Sequence, residues 1–294
     1  MKKLLCIIVD GLRSETLACA HAGFLEDVSR RGVVYRDVIC GSPPTSLAAL
    51  YTVLTSLWPH QHGVTDNRGP DRDTPMELSL ASLCRYHQRT ISLLYSRDSI
   101  SGLIPPRMLD NGLFVNSHEI RNVDKLLIRA AGEHLQTEKP DCCFLYLDGV
   151  DIATSHFGFL SECSFEAIET VDRGIAHIFE QIRKVGLHND YVFMVLGGQG
   201  GWKYSSKNSK AYDSRIPMFI QGPDIAEGMD VDMGPSFLDL APTMAHILGI
   251  PLHPDWQGRV LQQIFVRNTP SEHVDEIPPC PLGLVGQEDI RPAA

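Results

Sequence analysis

The sequence predicts an α/β domain with a mostly parallel central sheet and helices on both faces. Three observations carry this expectation: short apolar runs closed by polar or glycine residues, amphipathic stretches between them, and reactive side chains placed directly after the runs. Residues 4–9, 142–147 and 191–196 are almost continuously apolar, as strands buried on both faces are. Residues 216–220, closed by Gly222-Pro223, make a fourth run. Between them, residues 46–57, 123–135, 165–185 and 235–248 repeat apolar residues at spacings of three and four, which predicts helices that cover the sheet.

The 294 residues, 43% of them hydrophobic, suffice for one large domain with a substantial core. The alternation runs through residue 266. From 267 to 294, Pro270, Pro278, Pro279, Pro281 and Pro292 punctuate a polar stretch without periodicity, which predicts an appended tail. With 26 Lys and Arg against 36 Asp and Glu, the formal charge is −10, and no basic run could neutralise the phosphates of a duplex. Nucleic acid is excluded as a partner on that ground, whereas a small anion in a local pocket is not.

Eight cysteines without CxxC spacing, several inside apolar runs, are expected to be reduced and buried, as in the cytoplasm. Lys2 and Lys3 precede an apolar run too short for a secretory signal and closed by Asp10, and no run approaches the roughly 18 apolar residues of a membrane span. The expectation is a soluble, unexported protein without membrane contact, and nothing in the pattern sets an oligomeric state.

In open parallel sheets ligands bind beyond the carboxyl ends of strands. After the first run comes Asp10-Gly11-Leu12-Arg13; after the second, Asp148-Gly149-Val150-Asp151, with His156 following; after the third, Gly197-Gly198-Gln199-Gly200-Gly201. Separately, Thr45-Ser46 opens a predicted helix. A hydroxyl there sits where backbone N–H groups favour negative charge, which suits a nucleophile or a bound anion. The same residue can equally serve as an N-cap.

Taken in order, these segments resemble the alkaline phosphatase and sulfatase superfamily, specifically its type I phosphodiesterase/nucleotide pyrophosphatase branch. The resemblance extends over residues 4–265 and includes Trp58-Pro59 with His62-Gly63-Val64, Ile216-Pro217 through Gly222-Pro223, and Asp239-Leu240-Ala241-Pro242-Thr243. It implies that Asp10 binds metal and that Ser46, nine residues before Thr55, is the nucleophile, with Thr45 as the fallback. His62 is expected to hold its turn, and His60, His87, His177, His188 and His246 to be surface or satisfied core residues.

The sequence also departs from the pattern that the resemblance implies. Gly198 and Gln199 stand where the family has Asp and His, and no histidine occurs between His188 and His246. Asp151 and His156 are five apart where the family spaces such a pair by four. A zinc ion needs three or four good donors. The expected ligands are Asp10 with Ser46, and Asp151 with His156 and an assisting Asp148, enough for at most one divalent metal such as zinc and not for a full two-zinc site. Arg13, Lys203 and Lys207 are candidates to stabilise transition-state charge in place of metal. Gly198, Gln199 and Trp202 are expected to line the substrate pocket, and residues 66–117 to supply any cap over it.

Three functions follow. The first is a divergent hydrolase or transferase acting on a phosphate or sulfate ester, or a related small anion, through Ser46 with reduced or absent metal dependence. The second is a pseudoenzyme that binds or regulates, and the third a repurposed, metal-independent enzyme using the same pocket.

Overall fold

The computed structural model describes residues 1–42, 45–69, 74–120, 122–198, 216–231 and 234–266. Gln199, Trp202, Lys203, Lys207 and the 267–294 tail lie outside these described residues.

The first apolar run becomes the strand about which the sheet is organised. In β1 (Lys3–Val9), Leu4, Cys6 and Ile8 enter one core while Leu5, Ile7 and Val9 enter the other. The alternation follows from the twofold side-chain period of a strand. The remaining strands are β2 (Val33–Val38), β3 (Ile91–Tyr95), β4 (Asn111–Phe114), β5 (Cys142–Leu147), β6 (Tyr191–Gly197), β7 (Ile216–Gln221) and β8 (Met229–Val231). They form one sheet in the order β4-β3-β5-β1-β6-β7-β2-β8.

The five strands from β4 to β6 in that order run parallel. By contrast, β7 is antiparallel to both β6 and β2. Its direction was not legible in the sequence, because a strand buried on both faces shows the same apolar run whichever way it points.

Nine α-helices are assigned among the described residues: α1 (Ser14–Leu17), α2 (Gly23–Arg31), α3 (Ser46–Thr55), α4 (Pro59–His62), α5 (Leu80–Tyr86), α6 (Val123–Thr137), α7 (Gly149–Phe157), α8 (Glu162–Lys184) and α9 (Leu240–Leu248). Helices α3, α5 and α9 pack into the core that holds Leu4, Cys6 and Ile8, while α2, α6 and α8 pack into the opposite one. The predicted helix over 46–57 ends at Thr55, because Ser56 takes a left-handed conformation (φ 52°), and a separate short helix, α4, opens at Pro59. The start of α8 falls before the apolar pattern does, because Ser161 caps it by accepting the Ser164 N–H at 3.2 Å.

Residues 66–117 do not form a cap alone, as the sequence suggested; they supply α5 and two strands of the sheet, β3 and β4. The cysteines need a correction as well. Cys6, Cys84, Cys142 and Cys143 are buried, but Cys19 and Cys163 are exposed and Cys40 is half-buried. No helix among the described residues is long and apolar enough to cross a membrane.

His62 does hold its turn. Its Nδ1 accepts the Val64 N–H at 3.1 Å, its Nε2 lies 3.2 Å from the Thr52 hydroxyl, and the ring is 1% exposed. Burial pushes its pKa down to about 4. The folded value lies below the unfolded one, so His62 favours the fold above pH 6.5 and loses that contribution as pH falls toward 4. Urea unfolding of the wild type and of His62→Gln at pH 7 and pH 4.5 should show an extra acid loss in the wild type, on the order of 2–3 kcal/mol. Equal losses in both proteins would show that His62 does not titrate in this way.

Candidate active site

The strand order sets the site. Because β3, β5, β1 and β6 are parallel neighbours, the residues that follow them emerge side by side: Arg97 after β3, Asp148 after β5, Asp10 after β1 and Gly198 after β6. The ladder continues past the strands, with the Asp10 N–H donating to Leu147 O and the Gly198 N–H to Val9 O, each at 2.8 Å. Next to Asp10, Gly11 has φ +82°, and a Cβ there would lie 2.6 Å from the Asp151 Cα. Only glycine lets the end of β1 pass this close to the first turn of α7.

Arg97 stands at the centre. Its Nη1 donates to Asp10 at 2.9 Å, its Nη2 to Asp151 at 2.6 Å and its Nε to Asp148 at 3.4 Å, so each nitrogen faces a different carboxylate. Asp10 is fully buried and Asp148 nearly so. The Tyr146 hydroxyl also donates to Asp10, and Ser117 Oγ donates to Asp148 at 2.8 Å.

Burial pushes the Asp10 carboxyl up to about 7, against the lowering pull of the Arg97 charge and assisted by the negative charge of Asp151. Burial also works against the Arg97 charge, but Asp10, Tyr146 and Asp151 outweigh it and raise its pKa above the ordinary value. Burial, then the charge of Asp148, lifts neighbouring Asp124 to about 7.

Ser46 approaches from the opposite core, at the first position of α3. Its Oγ lies 2.9 Å from Asp10 Oδ2 and 3.2 Å from Oδ1, which makes Asp10 the acceptor of its proton. Thr45 occupies the N-cap position without a capping hydrogen bond from its side chain, and its buried Oγ1 has no partner. Of the two candidate hydroxyls, Ser46 is the one that meets a carboxylate. Asp10, Ser46, Tyr146, Gly198 and Phe237 help to line a cavity of only about 10 Å³. A larger one, about 720 Å³, is lined by Asp148 together with Ser117, Asp124, Lys125 and Glu166 among others.

Other candidates are not brought together with these. His156 is exposed on α7 with its Nδ1 2.8 Å from Ile152 O, which corrects its expected role as a ligand beside Asp151. Five residues along a helix turn the side chain by about 140°, so the two cannot share a face. Arg13, the suggested charge stabiliser, pairs with Glu15 at 3.5 Å and lies over the Phe159 ring at 4.6 Å.

The expected zinc does not fit the described residues. The three convergent carboxylates are bonded to Arg97, and no group of three or more His, Cys, Asp or Glu is placed to hold a metal. Among the described residues, the carboxylate oxygens left buried without partners are Asp124 Oδ1 and Asp148 Oδ1, two where a zinc site uses three or four donors. Nor could a side chain at Gly198 restore one easily, since a Cβ there would lie 2.7 Å from Asp10 Oδ1 and 2.9 Å from the Asp10 Cα.

Residues 4–82 and 87–216, more than half of the chain, match the profile of the type I phosphodiesterase / nucleotide pyrophosphatase family. The chain belongs to this family. A putative extracellular sulfatase, the Sulf-1 homolog of Caenorhabditis elegans, is 26% identical over 136 residues, 44% of this chain. The chain spans only 19% of that relative's length. Murine ectonucleotide pyrophosphatase/phosphodiesterase 5, solved in an inactive form with AMP, superposes with a TM-score of 0.73 at 13% identity, covering 90% of this chain and all of that one. A 2-O GAG sulfatase gives 0.69 at 14% identity, covering 90% of this chain and 74% of that one. The phosphonate monoester hydrolase of Silicibacter pomeroyi gives 0.66 at 13%, covering 93% and 78%.

At these identities the structural likenesses establish the fold: an alkaline phosphatase-like architecture, within a superfamily of phosphate and sulfate ester hydrolases that are typically metal-dependent.

Arg97 was missed in the sequence because β3 is interrupted by Ser92 and lies in the stretch set aside as a cap. The rule that exposed Asp10 and Asp148, inspection of the residues after each strand, would also have found it in Tyr95-Ser96-Arg97. Tyr146 lies inside an apolar run, where an aromatic residue looks like core.

Gly198→Asp should lower the melting temperature by about 4–8 °C, because the new Cβ overpacks Asp10. An unchanged melt would show that the end of β6 gives way freely.

Proposed function

We propose that this chain transfers or hydrolyses a phosphate or sulfate ester at Ser46, with a need for metal below that of its family. The carrying observation is the hydrogen bond from Ser46 Oγ to Asp10 at 2.9 Å, made at the N-terminus of α3. In this reading Asp10 draws off the hydroxyl proton as Ser46 Oγ attacks the phosphorus or sulfur; the bond to the ester oxygen breaks, the alcohol leaves with that proton, and the group held on Ser46 passes to water or an acceptor hydroxyl. Burial holds Asp10 near neutrality, the range in which a general base works best. The start of α3 supplies backbone N–H groups and a favourable dipole for the charge that develops. The substrate is a small anionic ester, and the unbridged buried thiols of Cys6, Cys84, Cys142 and Cys143 support a cytoplasmic setting.

The charge count favours a second reading, binding without turnover. One guanidinium faces three carboxylates, so the cluster is net negative and opposes a dianionic ester unless positive charge comes from elsewhere.

Turnover of p-nitrophenyl phosphate, p-nitrophenyl sulfate and bis-p-nitrophenyl phosphate, with and without chelator, separates the two. Under the first reading at least one ester is hydrolysed in the presence of chelator, and Ser46→Ala lowers kcat/KM by at least about 1,000-fold. Wild-type protein inert on all three esters, or Ser46→Ala as active as wild type, would sink that reading and leave the binding role.

A further inference from the structure

We propose that the Arg97 guanidinium is the resident cation of this site and that it excludes a divalent metal ion from the carboxylate cluster. The inference does not rest on Ser46 turning over any ester.

Three buried or half-buried carboxylates brought to one point demand a counter-charge, since an unpaired ion out of water costs several kcal/mol. Family members typically meet such a demand with metal; here the chain meets it with its own side chain. The geometry suits a guanidinium better than a sphere of charge. Its nitrogens spread to Asp10, Asp148 and Asp151, which come from two elements: the end of β1, and the N-cap and first turn of α7. Zinc would draw its oxygens to about 2 Å and needs the same lone pairs that Arg97 now occupies.

Arginine also stays charged at any working pH, so the ion cannot dissociate as a metal can. The Tyr146 and Ser117 hydroxyls each donate to one of the same carboxylates, which lowers the demand for a second cation. A side chain held by three partners and tethered to the end of β3 competes at a very high effective concentration with an ion from solution.

The test uses tag-free full-length chain purified without chelator, metal analysis by mass spectrometry, and thermal melts with zinc or manganese chloride. Wild type should carry no stoichiometric metal, and its melting temperature should not rise with either ion. Arg97→Ala exposes the carboxylates; it should take up about one divalent ion per chain, with a rise of about 5–10 °C at an ion concentration a hundredfold above Kd. Methylguanidinium, the missing side-chain head, should raise its melting temperature too and compete with zinc.

Stoichiometric metal in the wild type would overturn the proposal. So would a folded Arg97→Ala that responds to neither ion nor methylguanidinium. If Arg97→Ala fails to fold, Arg97→Lys gives the decision: it keeps one charge but cannot reach three carboxylates, so it should take up zinc where the wild type does not. A metal-free Arg97→Lys that melts identically with and without zinc would count against the exclusion.

Discussion

A carboxylate at the end of a central strand, with no exposure to water, must be matched by donors or by charge, and Asp10 is matched by both. Arg97 supplies the charge, while Tyr146 and Ser46 supply hydroxyl donors. Each partner arrives from a different part of the fold: the end of β3, the interior of β5 and the start of α3. Three elements therefore converge on one buried group. The same group is balanced between ionisation and neutrality by burial on one side and by these donors on the other.

The architecture and the chemistry are held by different forces. Two apolar cores on the two faces of the sheet support the strands and helices, and the charged residues of the site contribute little to either. That separation lets a family member keep its fold while the ligands around the strand ends change, because function lives in sites grafted onto folds. Gly198 packs its backbone against Asp10 without room for a side chain, and a guanidinium bridges the carboxylates on the other side. One arginine among three carboxylates leaves the cluster net negative, and the electrostatic field it offers an anionic ligand is correspondingly weak.

Much of the fold was legible because burial on both faces leaves a continuous apolar run, and residues 142–147 became β5 without adjustment. Ser46 and Asp10 were legible because their spacing resembles a known family and because one follows a strand and the other opens a helix. His156 misled because linear proximity to Asp151 ignores the helical turn between them. Arg97 escaped because the strand before it was not recognised; its role comes from partners 87, 51 and 54 residues away.

By itself the sequence determined the α/β class, the family and four strands of the sheet, β1, β5, β6 and β7, since all of these are written in residue type and local period. Only the tertiary structure decided that β7 runs antiparallel and that β3 lies beside β5, and hence that Arg97 reaches Asp10, Asp148 and Asp151. Strand order and direction depend on which long-range pairing buries the most surface and satisfies the most backbone hydrogen bonds. No residue encodes that choice alone, and the identity of the cation among the carboxylates follows from it.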